Sequence, residues 1–134
     1  NAFSALHLQA VFNGRPGPVK NALLNQQLVA GIGNIYASEA LFHAGISPRR
    51  KATTIKGQRA KRLAAAVVKT LRAAIEDGGT SLRDHVQPGG EIGYFSRQLV
   101  VYGRGGQPCQ VCTTPIKMII QSGRSSFYCP RCQS

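Results

Sequence analysis

The sequence predicts a mainly α fold, a helical bundle followed by a small β-hairpin module, and three observations carry that prediction. Apolar residues recur at helical spacing up to about residue 77, most clearly at Leu63, Val67 and Leu71. Glycines close each such run, at Asn13-Gly14, Gly45 and Gly78-Gly79. Four cysteines then stand in two pairs near the end of the chain, Cys109-x-x-Cys112 and Cys129-x-x-Cys132, with sixteen residues between the pairs.

The first helix is expected over Phe3 to Phe12, where Phe3, Leu6, Ala10 and Val11 share a face, and Pro16-Gly17-Pro18 follows its stop. A second begins after Pro18, carries Val19, Ala22 and Leu23, and runs to about Asn25. Leu28-Val29-Ala30 leads into Gly31-Ile32-Gly33-Asn34, a backbone able to turn sharply, with Asn34 where a helix N-cap belongs. The third helix is expected from Ile35 to about Ala44, with Gly45 as its stop. The longest covers about Ile55 to Asp77, its basic residues Lys56, Arg59, Arg62, Lys69 and Arg72 lying off the apolar face. Glu76 and Asp77 at its end oppose the helix dipole, and nothing in the sequence explains them. Thr80 to His85 and the glycine-rich run after it read as a mobile loop. Leu99-Val100-Val101-Tyr102 reads as a short strand, and Gly103-Arg104-Gly105-Gly106 as a link to the cysteine module.

Within that module Ile116, Met118 and Ile120 alternate with Lys117 and Gln121, Ser122-Gly123 turns, and Ser126-Phe127-Tyr128 returns. Two residues between ligands let a tight turn aim both sulfurs at one point, so two such turns supply four thiolates to one Zn²⁺. Two disulfides are the alternative, but they need an oxidising route, and a Cys-x-x-Cys loop is a poor staple. With Cys109, Cys112, Cys129 and Cys132 all used, no coordination position remains for water, and the metal is expected to be structural.

Seventeen Lys and Arg against five Asp and Glu leave a net charge of +12 on 134 residues, which favours a polyanionic partner, with nucleic acid the first candidate. An anionic membrane fits less well, because the cations are spread along the chain and no apolar run approaches transmembrane length. The start, Asn1-Ala2-Phe3-Ser4, has no leader-like pattern, so a reducing cytosol is expected, and the lack of an initiating Met reads as a piece of something longer. A glycine turn before a helix presents unpaired N–H groups to a phosphate oxygen, so Gly31 to Asn34 suit a nucleic-acid backbone as well as they suit an ordinary capped turn. Lys20 and Arg124 are equally ambiguous when each is taken alone.

The run from Leu23 to Phe42, containing Asn25-Gln26-Gln27-Leu28-Val29-Ala30-Gly31-Ile32-Gly33-Asn34-Ile35-Tyr36, closely resembles the helix-two-turn-helix segment of bacterial formamidopyrimidine-DNA glycosylases. Gly78-Gly79-Thr80-Ser81-Leu82-Arg83-Asp84, Val101-Tyr102-Gly103-Arg104 and Gly123 to Gln133 resemble later motifs of the same family, so the likeness spans essentially the whole chain. It implies a helix-two-turn-helix DNA-binding domain over 1–98 and a zinc-finger β-hairpin domain over 99–134, together the C-terminal half of a base-excision-repair enzyme for oxidised purines. By the same resemblance Lys20, Asn34, Tyr102 and Arg124 contact phosphates around a flipped-out nucleotide, in double-stranded DNA bearing an oxidised purine or an abasic site. Thr80, Ser81, Leu82, Arg83, Asp84 and His85 match the loop that closes over the lesion. Clustered phosphate contacts would offset part of the unstacking cost.

Family members carry their nucleophile as an N-terminal proline followed by glutamate, and this chain starts at Asn1 with neither. The resemblance therefore implies a fragment that binds DNA without cutting it, with no catalytic residue of its own, and with a missing N-terminal catalytic domain as its partner. A monomer in the bacterial cytoplasm, associated with the nucleoid, is the expected setting. Two alternatives remain. One is an endonuclease VIII-type fragment acting on oxidised pyrimidines, which the long Thr80 to Tyr94 loop and the Phe127-Tyr128-Cys129-Pro130 wording disfavour. The other is a free-standing zinc-ribbon module, which has no reason to carry the helical motifs.

Overall fold

The computed structural model describes residues 5–25, 33–76 and 99–134, and these form four α-helices, one 3-10 turn and one β-hairpin. Helices α1 (Ala5–Phe12), α2 (Val19–Asn25), α3 (Gly33–Ala44) and α4 (Gln58–Glu76) precede strands β1 (Lys117–Gln121) and β2 (Arg124–Tyr128). Helix α3 is the hub: α2 and α4 pack against it, β2 crosses it, and α1 closes on α4. The helical core gathers Leu8 and Phe12 of α1, Val19 and Leu23 of α2, Ala37, Ala40 and Leu41 of α3, and Ala60, Leu63 and Val67 of α4. Burying aliphatic side chains of this size contributes about 1.5–3 kcal/mol each, and that holds helices as short as α1 and α2, too short to persist alone.

The expected helices are present with altered ends. Residues 1–4 and 77–98 lie outside the described residues, so the Phe3 start, the Asp77 end, the Gly78-Gly79 stop and the Thr80 to His85 loop do too. Helix α4 begins at Gln58 and not at Ile55, because Ala52–Thr54 form a 3-10 turn and Gly57 sits at φ 55°, which breaks continuity with the helix. At the end of α3, Gly45 adopts φ 73°, its N–H donates to Phe42 O (3.0 Å), and the Ile46 N–H donates to Leu41 O (3.0 Å). This is the left-handed helix stop that glycine makes at no steric cost, so Gly45→Ala lowers stability by about 1 kcal/mol, read as a shift in urea midpoint with unchanged slope.

Leu99 to Tyr102 do not form a strand. Their apolar side chains read as β, but their backbone bonds to a carboxylate in place of a neighbouring strand, as described below. Leu99 packs into the helical core, whereas Val101 enters a second core with Phe42, Cys109, Ile116 and Cys129. The hairpin pairs Lys117 with Tyr128 through to Gln121 with Arg124, antiparallel. Its loop is Ser122-Gly123 with both φ positive, 50° and 79°, the turn whose twist matches paired strands. The alternation of Ile116, Met118 and Ile120 is real, but Met118 (49 % exposed) and Ile120 (63 %) face outward, and Ser126 and Tyr128 take the buried side.

Candidate nucleic-acid interface and metal centre

Cys109, Cys112, Cys129 and Cys132 are brought together, their sulfurs all within 4.8 Å of one another. Cys109 Sγ lies 3.9 Å from Cys132 Sγ, and Cys112 Sγ lies 3.4 Å from Cys129 Sγ. A tetrahedron with Zn–S bonds of about 2.3 Å has edges of about 3.8 Å, so the donor set fits a closed four-thiolate Zn²⁺ site. The Val111 N–H points at Cys109 Sγ (3.4 Å) and the Cys132 N–H at Cys129 Sγ (3.3 Å), so each Cys-x-x-Cys turn directs backbone donors at its own first sulfur. Four thiolates cannot gather there without a cation. Desolvation, then the neighbouring sulfurs, push the Cys132 thiol up to about 12, and burial raises Cys129. Cys112 instead sinks to about 6, chiefly through hydrogen bonding with Thr114. A divalent ion supplies the missing positive charge and braces the hairpin.

Lys20 and Asn34 meet at the front of α3. Lys20 is fully buried, and its ammonium donates to Asn34 Oδ1 and, at 3.5 Å, to the carbonyl of Ser125. Asn34 Nδ2 donates to that same carbonyl at 2.9 Å. Asn34 therefore does not cap its own helix: α3 already starts at Gly33, whose φ of 56° turns the chain in, and the Asn34 side chain spans to the hairpin. Arg124, exposed beside Ser125, completes a cationic cluster. Desolvation, reinforced by the Arg124 charge, lowers the Lys20 ammonium from 10.5 to about 8. No carboxylate is among the groups that set its charge: its partners are two carbonyl oxygens and a like charge. Tyr102 joins the same strand from the other side, its ring edge-on to Phe127 with centroids 4.9 Å apart. The structure thus unites Lys20, Asn34 and Arg124 and attaches Tyr102 two residues along β2, while Thr80, Ser81, Leu82, Arg83, Asp84 and His85 lie outside the described residues.

Glu39 was not singled out by its sequence context, although a lone acid inside the apolar run Ile35 to Phe42 was a signal. It is 3 % exposed, and its carboxylate accepts the backbone N–H groups of Val100 (2.8 Å), Val101 (2.8 Å) and Tyr102 (2.9 Å). Three donors on one carboxylate replace the strand ladder and tie Tyr102 to α3. Gln133 is the second such device: it accepts from Cys129 N (2.8 Å) and donates to Ile46 O (2.9 Å), joining the metal knuckle to the end of α3. Gln121 donates to Pro48 O (3.1 Å) and Asn21 to Ser122 Oγ (2.8 Å), so the hairpin is fastened to the helical part along its length.

Among known proteins, residues 1–86 match the family described as the formamidopyrimidine-DNA glycosylase H2TH domain, and residues 106–134 match the zinc finger found in FPG and IleRS. A formamidopyrimidine-DNA glycosylase of a Jannaschia species is 54 % identical over 99 % of this chain, and that of Rhodospirillum centenum is 53 % identical over 99 %. The chain spans about half the length of these curated relatives, 48 % in both cases. The crystal structure of MutM (Fpg) from Thermus thermophilus superposes with a TM-score of 0.83 at 39 % identity, covering 99 % of this chain and 51 % of that one. Lactococcus lactis Fpg in complex with an abasic site containing DNA superposes with a TM-score of 0.84 at 30 % identity, covering 98 % of this chain and 48 % of that one.

Proposed function

Because the chain belongs to the formamidopyrimidine-DNA glycosylase family, we propose that it is the DNA-gripping half of such a repair protein, with Lys20, Asn34, Arg124 and Tyr102 holding the backbone phosphates of a kinked duplex. One observation carries this reading. A fully buried ammonium whose partners are two carbonyl oxygens and a neighbouring guanidinium is uncompensated, and a phosphate is the group that would balance it. The first turn of α3 adds partial positive charge at the same place, with no acid there to neutralise it. The four-cysteine centre would hold Zn²⁺, which braces the strand that presents Arg124 and the Ser125 carbonyl. Division into 1–98 and 99–134 is supported by Leu99 siding with the helical core and Val101 with the metal-side core.

The substrate class follows the relatives. Lactococcus lactis Fpg has been crystallised with Fapy-dG containing DNA and with abasic DNA, and oxidised-purine or abasic duplex is the partner proposed here, with base excision supplied by the whole protein. Among the described residues no helix is long and apolar enough to cross a membrane, and the charge of +12 supports a monomer working on bacterial DNA in the cytoplasm.

The pH dependence of binding tests this reading. A bound phosphate favours the charged form of Lys20, so affinity for an abasic-site duplex holds up to about pH 8 and then falls, by up to tenfold per pH unit, as the free ammonium loses its proton. Stability runs the other way: the unfolded chain holds the Lys20 proton up to its ordinary 10.5 and the folded chain only to about 8, so folding is favoured as pH rises between them. Arg124→Gln, removing the second cause of the lowered value, moves the affinity step to higher pH. Fluorescence anisotropy from pH 7 to 10 reads both, and a flat profile removes Lys20 from the contact.

A further inference from the structure

Of seventeen Lys and Arg, the cluster at the front of α3 uses two. Helix α4 collects five more, Arg59, Lys61, Arg62, Lys69 and Arg72, against a single acid, its last residue Glu76. At 100° per residue, Lys61, Arg62, Lys69 and Arg72 fall within about 100° of arc. All four are exposed, and the opposite side, with Ala60, Leu63 and Val67, is buried in the core.

This placement works against the helix itself. Its first turn holds no acid and its last turn no base, the reverse of what the dipole favours. Arg59 with Arg62, and Lys69 with Arg72, are like charges three residues apart and repel. A face that serves only solvation mixes both signs. A one-sign stripe that costs its own helix stability is accounted for when a polyanion covers it.

The stripe is separate from the Lys20 cluster. Arg62 Nε donates to the carbonyl of Ala44 at 3.0 Å, at the far end of α3 from Asn34. Ten residues of helix put those ends about 15 Å apart, more than the screening length of about 10 Å at 0.1 M salt. From Lys61 to Arg72 the stripe runs about 16 Å, over which one DNA strand presents about five phosphates at about 3.4 Å each.

We propose that the exposed face of α4, centred on Lys61, Arg62, Lys69 and Arg72, is a second DNA-backbone surface. It takes a stretch of duplex beyond the one held at Asn34 and reads neither sequence nor damage. It goes beyond the phosphate cluster and stands without it.

The test is the salt dependence of binding to an undamaged duplex, followed by anisotropy for four proteins. The Lys61→Gln/Lys69→Gln/Arg72→Gln variant spares Arg62, which bonds to the end of α3, and its circular dichroism and Tm report that it is folded. Its log–log salt slope falls by about 2.7, or 0.9 for each lost phosphate contact, and its affinity at 0.1 M salt falls at least tenfold. A control with three exposed cations elsewhere, Arg49→Gln/Lys51→Gln/Lys117→Gln, loses clearly less. An unchanged slope in the first variant, an equal loss in the control, or tighter binding to phosphatidylserine vesicles than to duplex overturns the proposal. Arg124→Gln in the wild-type background reports on the α3 cluster separately: if it is silent while the α4 variant loses its slope, the cluster reading fails and the α4 surface stands.

Discussion

Stripping the metal with a chelator weakens duplex binding by about a hundredfold while most of the helical circular dichroism survives. The factor comes from losing two charge-assisted contacts, at Arg124 and at the Asn34–Lys20 pair, each worth about 1.5 kcal/mol. A two-stranded hairpin is not stable in water by itself, and four-thiolate binding supplies about 10–16 kcal/mol of folding free energy in small zinc modules. Without the ion the bunched sulfurs must reprotonate or separate, so Arg124 and the Ser125 carbonyl lose their place. The helical core is built from α1 to α4 with Leu99 and Tyr102 beside them, and it does not need the metal. Its melting temperature nevertheless falls, because Gln133, Gln121 and Asn34 lose partners across the interface. Collapse of the 222 nm signal together with affinity would show that the two parts fold as one; unchanged affinity would show that the hairpin plays no part in binding.

Glu39→Ala is the most damaging single substitution expected in the helical part. It leaves the N–H groups of Val100, Val101 and Tyr102 without an acceptor, and each buried unpaired donor costs about 1–3 kcal/mol, so a loss of about 3–5 kcal/mol follows if the segment relaxes only in part. Glu39→Gln recovers only some of it: one carbonyl oxygen replaces two carboxylate oxygens, and the new amide N–H₂ faces a backbone donor. Urea unfolding at constant slope gives the numbers. A loss under 1 kcal/mol for the alanine variant would mean that water reaches these groups. Tyr102 rides on the same segment, so both variants also weaken its edge-on packing against Phe127, visible in the near-ultraviolet signal.

Much of this architecture was legible because the local signals were self-contained. The cysteine pairs specify their own geometry, since two intervening residues and a thiolate's preference for Zn²⁺ leave little else to decide, and the four sulfurs do converge. Ser122-Gly123 names its own turn, and Leu63 and Val67 name the buried side of α4. Leu99 to Tyr102 misled because β-propensity records side-chain shape, whereas the partner of those N–H groups is a carboxylate some sixty residues earlier. Asn34 misled because an amide before a helix suits a cap, and only the arrival of Ser125, 91 residues later, gives it a better bond.

What the sequence by itself determined is the order of helices, the hairpin and its turn, the metal donor set and the excess of positive charge, all properties of residues near one another or of simple totals. What only the tertiary structure decided is that Lys20 is buried against Asn34 and the Ser125 carbonyl, that Glu39 holds Tyr102, and which face of α4 carries its cations to solvent. A hydrogen bond between distant segments depends on how the apolar faces dock, and docking is set by the whole core at once, so no short stretch of residues encodes it.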